Sequence, residues 1–363
     1  MLRAVSIAFM LLKDRNFFSI MAVTMKKPTI KDVAKLAGVS FKTVSRVVNN
    51  EASVSDEVRT KVQECIQKLN YQPNHTARTM RKAPFSLAFV YDNPNSHYVI
   101  EMQNGIISEC RKRGFELVIH PTDSRSEEVG KELAAMIGSN QIGGVILTPP
   151  LSENRELVTF LLNRDAKVVR ILSGSEAPDT LAPVVHVDDV EASRKMTDYL
   201  LDLGHKRIAF LGYHASHESS LGRLRGFREA HEARGLDVDK NLIVDGEFTF
   251  DSGMAMTKQV LSNDNKPTAI FACNDEIAAG AVFMVRLNQL RVPEDVSVAG
   301  FENSPFSIQT WPHLTTINQP NFDIAASAAE MVIKMMQAKD VHTVESKGFS
   351  LELVVRDSAA PLN

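Results

Sequence analysis

GVSFKTVSRVVNN, Gly38 to Asn50, places a glycine turn ahead of a segment in which Val44, Val47 and Val48 recur at helical spacing. With those valines turned inward, Phe41, Lys42, Ser45 and Arg46 are left near the outer surface. A solvated polar face would read the same way in isolation, so the neighbouring sequence decides. Upstream, Thr29 precedes IKDVAKLA with Asp32 three residues on, a capping box in which both side chains meet otherwise unpaired N–H groups. Ile30, Val33, Ala34 and Ala37 share one face, which predicts a helix from about Ile30 to Leu36. Ser40 is placed to cap a second helix, Phe41 to about Val48. Ser55 is placed to cap a third, DEVRTKVQECIQKLN, striped by Val58, Val62, Ile66 and Leu69. Three short helices, the first two joined by a glycine turn, make a helix-turn-helix headpiece, whose second helix offers its early residues to base edges. Lys and Arg suit guanine O6 and N7, and Thr and Ser hydroxyls suit phosphates.

Charge is distributed to match. The 363-residue chain carries a formal net charge of only −3, which excludes a wholesale nucleic-acid coat. Residues 25–83 nevertheless hold 12 Lys/Arg against 5 Asp/Glu, while residues 84–363 hold 26 against 38. A small basic piece on a large acidic body fits a polyanion-binding module joined to something else. Cys65, Cys110 and Cys273 are odd in number, far apart and without a CxxC, as expected of reduced, buried thiols. Residues 1–24 contain a short apolar run, Ala4–Leu12, that looks like a signal-peptide core but is interrupted by Lys13, Asp14 and Arg15. They are read as an extension, disordered or not natively translated, ahead of a start at Met25 or Met21.

KPTIKDVAKLAGVSFKTVSRVVNN (27–50) followed by VSDEVRTKVQECIQKLNYQPNHTAR (54–78) resembles the headpiece of the lactose-repressor (LacI/GalR) family of bacterial transcription regulators. The resemblance implies that Phe41, Lys42 and Arg46 read bases, with Thr43, Ser45 and Asn49 on the DNA backbone. Thr29 and Ser40 are counted with them among the DNA-contacting residues. Phe41 stands where a tyrosine is common, and Lys42 at a position that varies with the operator. QPNHTARTMRKAP, capped by Asn74, is too short to hold a helix alone. By resemblance it is the hinge, folding when two copies pair over the minor groove. Asn74 and Ala77 then lie at the DNA, Arg78 and Arg81 at phosphates, and Met80 where a leucine usually wedges between base pairs.

From residue 84 the pattern changes. SLAFVYD, FELVIHPT, GGVILTP, KVVRILS, VVHVDD, RIAFLGY, TAIFACND and VSVAGFEN read as buried parallel strands. Val99–Arg113, Glu191–Leu203 and Glu276–Leu290 read as helices between them. Such βα units predict an α/β fold with doubly wound parallel sheets and ligands at the strands' C-terminal edges. There are too many strands for one sheet, so two lobes are expected, the periplasmic-binding-protein type I architecture that the family shares. The expected divisions are a headpiece at 25–72, a hinge at 73–83 and an effector-binding and dimerisation domain at 84–363. Lobe one would take about 84–185 and 319–347, and lobe two about 186–318 and 348–363.

Polar residues gather at strand ends: Asp92 and Asn93, then His97 and Tyr98, with Asn274 and Glu302 further on. Arg223, in GRLRGF, matches the family arginine that grips the effector from the second lobe. Carboxylates, amides, an arginine and an aromatic are what a polyhydroxylated ring requires, and a purine is the alternative ligand. Glu302 replaces the family's usual aspartate, and Asn95-Ser96-His97-Tyr98 replaces a common phenylalanine pair. His214 and His217 find no third ligand at suitable spacing, so neither metal nor cofactor is expected, and no enzyme motif is found. Trp311 is expected to pack near the lobe crossover or at a subunit interface. The expected molecule is a cytoplasmic homodimeric repressor of carbohydrate-utilisation genes, released from palindromic operator DNA by a sugar or glycoside, with no membrane partner. Its rivals are an exported periplasmic sugar-binding protein and a purine-responsive, co-repressed regulator. Cleavage near residue 24 with export would favour the first rival.

Overall fold

In the computed structural model, residues 28–48, 54–69, 86–93, 96–138, 142–173, 179–215, 217–338 and 345–362 are described. The chain divides into two units at Lys82 and Ala83.

In the first unit, α1 (Ile30–Ala37), α2 (Phe41–Val48) and α3 (Asp56–Lys68) enclose a core of Val33, Ala34, Ala37, Val44, Val47, Val62 and Cys65. Helix α1 begins where the Asp32 carboxylate accepts the Thr29 N–H at 2.8 Å and its hydroxyl at 2.7 Å. It ends at Gly38, whose φ of 67° is the left-handed conformation that only glycine adopts without steric cost. The Ser40 hydroxyl then accepts the Thr43 N–H at 3.1 Å and caps α2. Ser55 occupies the corresponding position of α3, but its side chain makes no capping bond; only its carbonyl serves, accepting from the Arg59 N–H.

The second unit carries two parallel sheets. One has the order β11-β5-β4-β3-β1-β2, built from β1 (Ser86–Tyr91), β2 (Glu116–Pro121), β3 (Gly144–Leu147), β4 (Lys167–Ser173), β5 (Val184–Val187) and β11 (Lys347–Phe349). The other has the order β7-β6-β8-β9, from β6 (Ile208–Tyr213), β7 (Ile243–Asp245), β8 (Ala269–Ala272) and β9 (Ser297–Ala299). An antiparallel pair, β10 (Thr316–Asn318) with β12 (Glu352–Val354), completes the unit. The chain therefore passes between the sheets after Val187, after Asn318 and again after Phe349. Strands β3 and β8 are buried at every residue, which is why they appear in the sequence as unbroken apolar runs. Helices cover the sheets: α4 (Ser96–Arg113), α5 (Val129–Gly138), α6 (Arg155–Leu162) and α12 (Asn321–Gln337) on the first. On the second lie α7 (Asp189–Asp202), α8 (Glu218–Ala233), α9 (Phe250–Leu261) and α10 (Asp275–Leu287), with the short α11 (Phe306–Gln309) against α10.

Helices α9 and α10 cross at backbone contact. A Cβ on Gly280 would lie 2.2 Å from the Phe250 carbonyl oxygen, and one on Gly253 would lie 2.4 Å from that of Ile277. Overpacking of this kind costs about 1–2 kcal/mol once the backbones have moved apart. Gly280→Ala is expected to lower the urea unfolding midpoint accordingly, and an unchanged midpoint would contradict the tight crossing. No helix among the described residues is long and apolar enough to cross a membrane.

Candidate functional site

On the headpiece, Phe41 is 60% exposed, Lys42 is exposed, and Ser45 and Arg46 are half-buried at the edge of the core that Val44 and Val47 anchor. The outward face anticipated for α2 is thus present. Thr43 is half-buried, and its hydroxyl lies 2.9 Å from that of Ser40, so the helix cap also fixes the orientation of both hydroxyls. Thr29 is exposed and engaged by Asp32. Asn49, Asn74, Ala77, Arg78, Met80 and Arg81 lie outside the described residues, as do residues 1–24.

In the second unit, polar groups collect where strands of the two sheets end. An inner cavity of about 50 Å³ is lined by Asn93, Tyr98, Arg223, Asn274, Glu302 and His217, among others. It shares Asn93 and His217 with an outer cleft of about 660 Å³, which adds Asp92, Asp123, Arg125, His214 and Glu247. The inner space admits little more than a water molecule, whereas the outer cleft falls in the size range of ligand pockets.

Arg223 organises the inner cavity. Its Nε donates to the Asp189 carboxylate at 2.8 Å, Nη1 to the Cys273 carbonyl at 2.5 Å and Nη2 to Gln319 Oε1 at 3.4 Å. The Glu302 carboxylate lies 3.8 Å from Nη1, and the Phe301 ring 3.7 Å below the guanidinium carbon. Glu302 takes a φ of 96°, a conformation that an L-residue other than Asn or Asp holds only when its surroundings impose it, while Asn303 at 54° is left-handed, which asparagine tolerates. Asn274 caps α10, accepting the Ile277 N–H at 2.8 Å and donating to the Phe248 carbonyl at 3.2 Å. Tyr98 is buried, and burial together with Glu302 and Asp189 pushes its hydroxyl up, so it enters any contact as a neutral phenol. His97 faces the opposite lobe, its ring 5.3 Å from that of Phe306. Asp92 belongs to the outer cleft, where its carboxylate accepts the Ser124 N–H at 2.8 Å.

Several contributors escaped the sequence reading. Asp189, Gln319, Phe301 and Phe248 reach Arg223 or Asn274 only through folding. His217, considered in the sequence only as a metal ligand, lines both cavities and meets the Phe248 ring edge-on at 5.4 Å, and burial lowers its pKa. Among the described residues no group of three or more His, Cys, Asp or Glu is placed to hold a metal ion. Trp311, expected near the lobe crossover or at a subunit interface, is 67% exposed, so its own chain does not cover it.

Glu153, from the turn after β3, has a buried Oε1 without a hydrogen-bond partner, and burial with Glu218 and Asp189 pushes its carboxyl up to about 7. Raised above the ordinary 4.5 of the unfolded chain, it contributes stability that is complete below about 4.5 and is lost as pH rises towards 7. Glu153→Gln is expected to flatten this part of the stability–pH profile and to gain about 1–2 kcal/mol at pH 8, after allowing for partial solvent screening. Urea unfolding at a series of pH values measures it; parallel profiles for the two proteins would rule the effect out.

A glycine-turn helix pair with an outward basic face, followed by a two-sheet unit with a polar interlobe cleft, defines a DNA-binding transcriptional regulator. The chain belongs to the lacI family of bacterial regulatory proteins: that family model matches residues 29–74, and a periplasmic binding protein-like domain matches residues 197–359. It is 31% identical to the HTH-type transcriptional regulator DegA of Bacillus subtilis (strain 168), across 93% of this chain and 99% of that protein. It is 28% identical to the HTH-type transcriptional repressor PurR of Vibrio atlanticus (strain LGP32), across 92% and 99%. Among solved structures it is similar to the lac repressor dimer bound to operator and the anti-inducer ONPF, with a TM-score of 0.77 at 25% identity, across 92% of this chain and all of that one.

Proposed function

We propose that the protein is a cytoplasmic, homodimeric repressor of carbohydrate-utilisation genes that a sugar or glycoside releases from a near-palindromic operator. Phe41, Lys42 and Arg46 read bases. Thr29, Ser40, Thr43, Ser45 and Asn49 hold the backbone with Arg78 and Arg81, and Asn74, Ala77 and Met80 belong to the hinge in the minor groove. The headpiece is residues 25–72, the hinge 73–83 and the effector domain 84–363. The observation that carries the effector reading is the convergence of Arg223, Glu302, Asn274 and Tyr98 on one cavity continuous with an open cleft. Donors and acceptors alternate there, as the hydroxyls of a sugar require, since each both donates and accepts. Asn93 belongs to the same wall and Asp92 to its mouth, while His97, against Phe306, lies outside the lining. Exposed Phe283 and Leu287 on α10, with Ile308 and Trp311 on and beside the adjoining α11, support a second copy of the chain as partner.

In this mechanism a ring entering from the outer cleft adds its hydroxyls to the polar groups around Arg223, whose internal partners stay in place, and sets the lobes in a different relation. Two paired hinges then lose their register on DNA. Sites so far apart are typically coupled by about 1–3 kcal/mol. Fluorescence anisotropy of a labelled operator with the full chain tests the reading. A sugar that raises the apparent Kd supports it, whereas release or tightening by hypoxanthine or guanine alone would replace the sugar with a purine.

A further inference from the structure

We propose that the effector carries no negative charge: the interlobe cleft accepts a neutral or amine-bearing polyhydroxylated ring and turns away sugar acids and sugar phosphates. The inference rests on the reading of this cleft as an effector site and concerns its selectivity. Among the described lining residues of the two connected cavities the fully charged cations are Arg125 and Arg223, against the carboxylates of Asp92, Asp123, Glu247 and Glu302. Both arginines are already engaged. Arg125 grips Asp123 with two parallel bonds, Nε to Oδ1 at 2.9 Å and Nη2 to Oδ2 at 3.1 Å. Arg223 spends Nε on Asp189, Nη1 on Cys273 and Nη2 on Gln319, and Phe301 covers one face of its guanidinium.

A phosphate or carboxylate is recognised by charged N–H donors offered in a fork. Asp189 already neutralises this guanidinium, so an anion at the N–H donors it has left would add a second negative charge to a buried ion pair. It would also approach Glu302 and, in the outer cleft, Asp92 and Glu247. Glu153, neighbouring Leu151 and Asn154 of the cleft wall, is held protonated more readily by burial and by the charges of Glu218 and Asp189 on the opposite lobe. His217 offers no relief, since burial and His214 favour its neutral form. An ammonium or a hydroxyl, by contrast, finds acceptors on Glu302, Glu247 and Asp92. The signal would therefore be a sugar that has been neither phosphorylated nor oxidised to an acid.

Matched ligand sets test this on the full-length protein. For glucose and galactose, the neutral sugar, the 2-amino sugar, the uronate and the 6-phosphate are compared by thermal unfolding and by operator release. The neutral or amino member is expected to bind roughly tenfold or more tightly than either anion of its set, because like-charge juxtaposition costs several kcal/mol. A uronate or phosphate that binds as tightly as its parent would overturn the inference. If no member of either set acts, the carbohydrate reading itself loses its support, and the charge claim is then decided on the ligand-free protein. Carbon NMR of the Glu153 carboxyl should give a titration midpoint of about 7. A midpoint in the ordinary carboxylate range would overturn the negative cleft.

Discussion

Replacing Arg223 with methionine is expected to lower the unfolding free energy of the effector unit by about 3–5 kcal/mol and to abolish the response to effector. The guanidinium is one side of a buried ion pair with Asp189, whose side chain is fully inaccessible, and it also satisfies the Cys273 carbonyl at 2.5 Å. Methionine fills a similar volume against Phe301 but leaves a carboxylate without its cation, and removing one member of a buried pair costs far more than the pair contributes. Arg223→Lys keeps the charge but loses the fork that reaches Asp189, Cys273 and Gln319 together, and should fall between. Urea unfolding of the full chain gives the stability, and operator binding with and without sugar gives the response. A loss below about 1 kcal/mol would show that Asp189 is compensated elsewhere.

Arg46→Ala is expected to weaken binding to the preferred operator by about 1–3 kcal/mol, roughly 5- to 150-fold, while binding to unrelated DNA changes far less. Arg46 stands one residue before Val47, which is only 5% exposed, so the core holds the backbone that aims it. Its half-buried position on α2 shortens the search its long side chain must make, and truncation removes contacts without disturbing the valines beneath. Anisotropy titrations on the preferred site and on a scrambled duplex separate the two effects. An equal loss on both would make Arg46 a phosphate contact instead of a base reader.

What the sequence disclosed follows from how each feature is built. The long strands were legible because parallel strands buried on both faces are continuous apolar runs, as in GVIL of β3 and AIFA of β8. Strands β7, β10, β11 and β12 were not: each has three residues, and unlike the equally short β9 none is buried throughout, so no apolar run marks them. Helix ends drifted for local reasons: α1 runs to Ala37 because Gly38 sits one residue beyond, and α4 begins at Ser96, three residues before the expected Val99. In the cleft, Arg223, Asn274, Glu302, Tyr98 and Asn93 were legible at strand ends or by resemblance, and folding brings them to one cavity. Their partners were not, because Asp189 and Gln319 lie 34 and 96 residues from Arg223 and nothing local marks them. Trp311 shows the converse limit: its side chain suits a packed site, yet its neighbours within the chain leave it open.

As proposed, two headpieces read one specific site as a pair. Selection of bound duplexes from a random pool by the full-length protein tests it most directly. The expected result is one enriched, near-palindromic sequence with two half-sites about one helical turn apart. A bound pool without an enriched palindrome would contradict it.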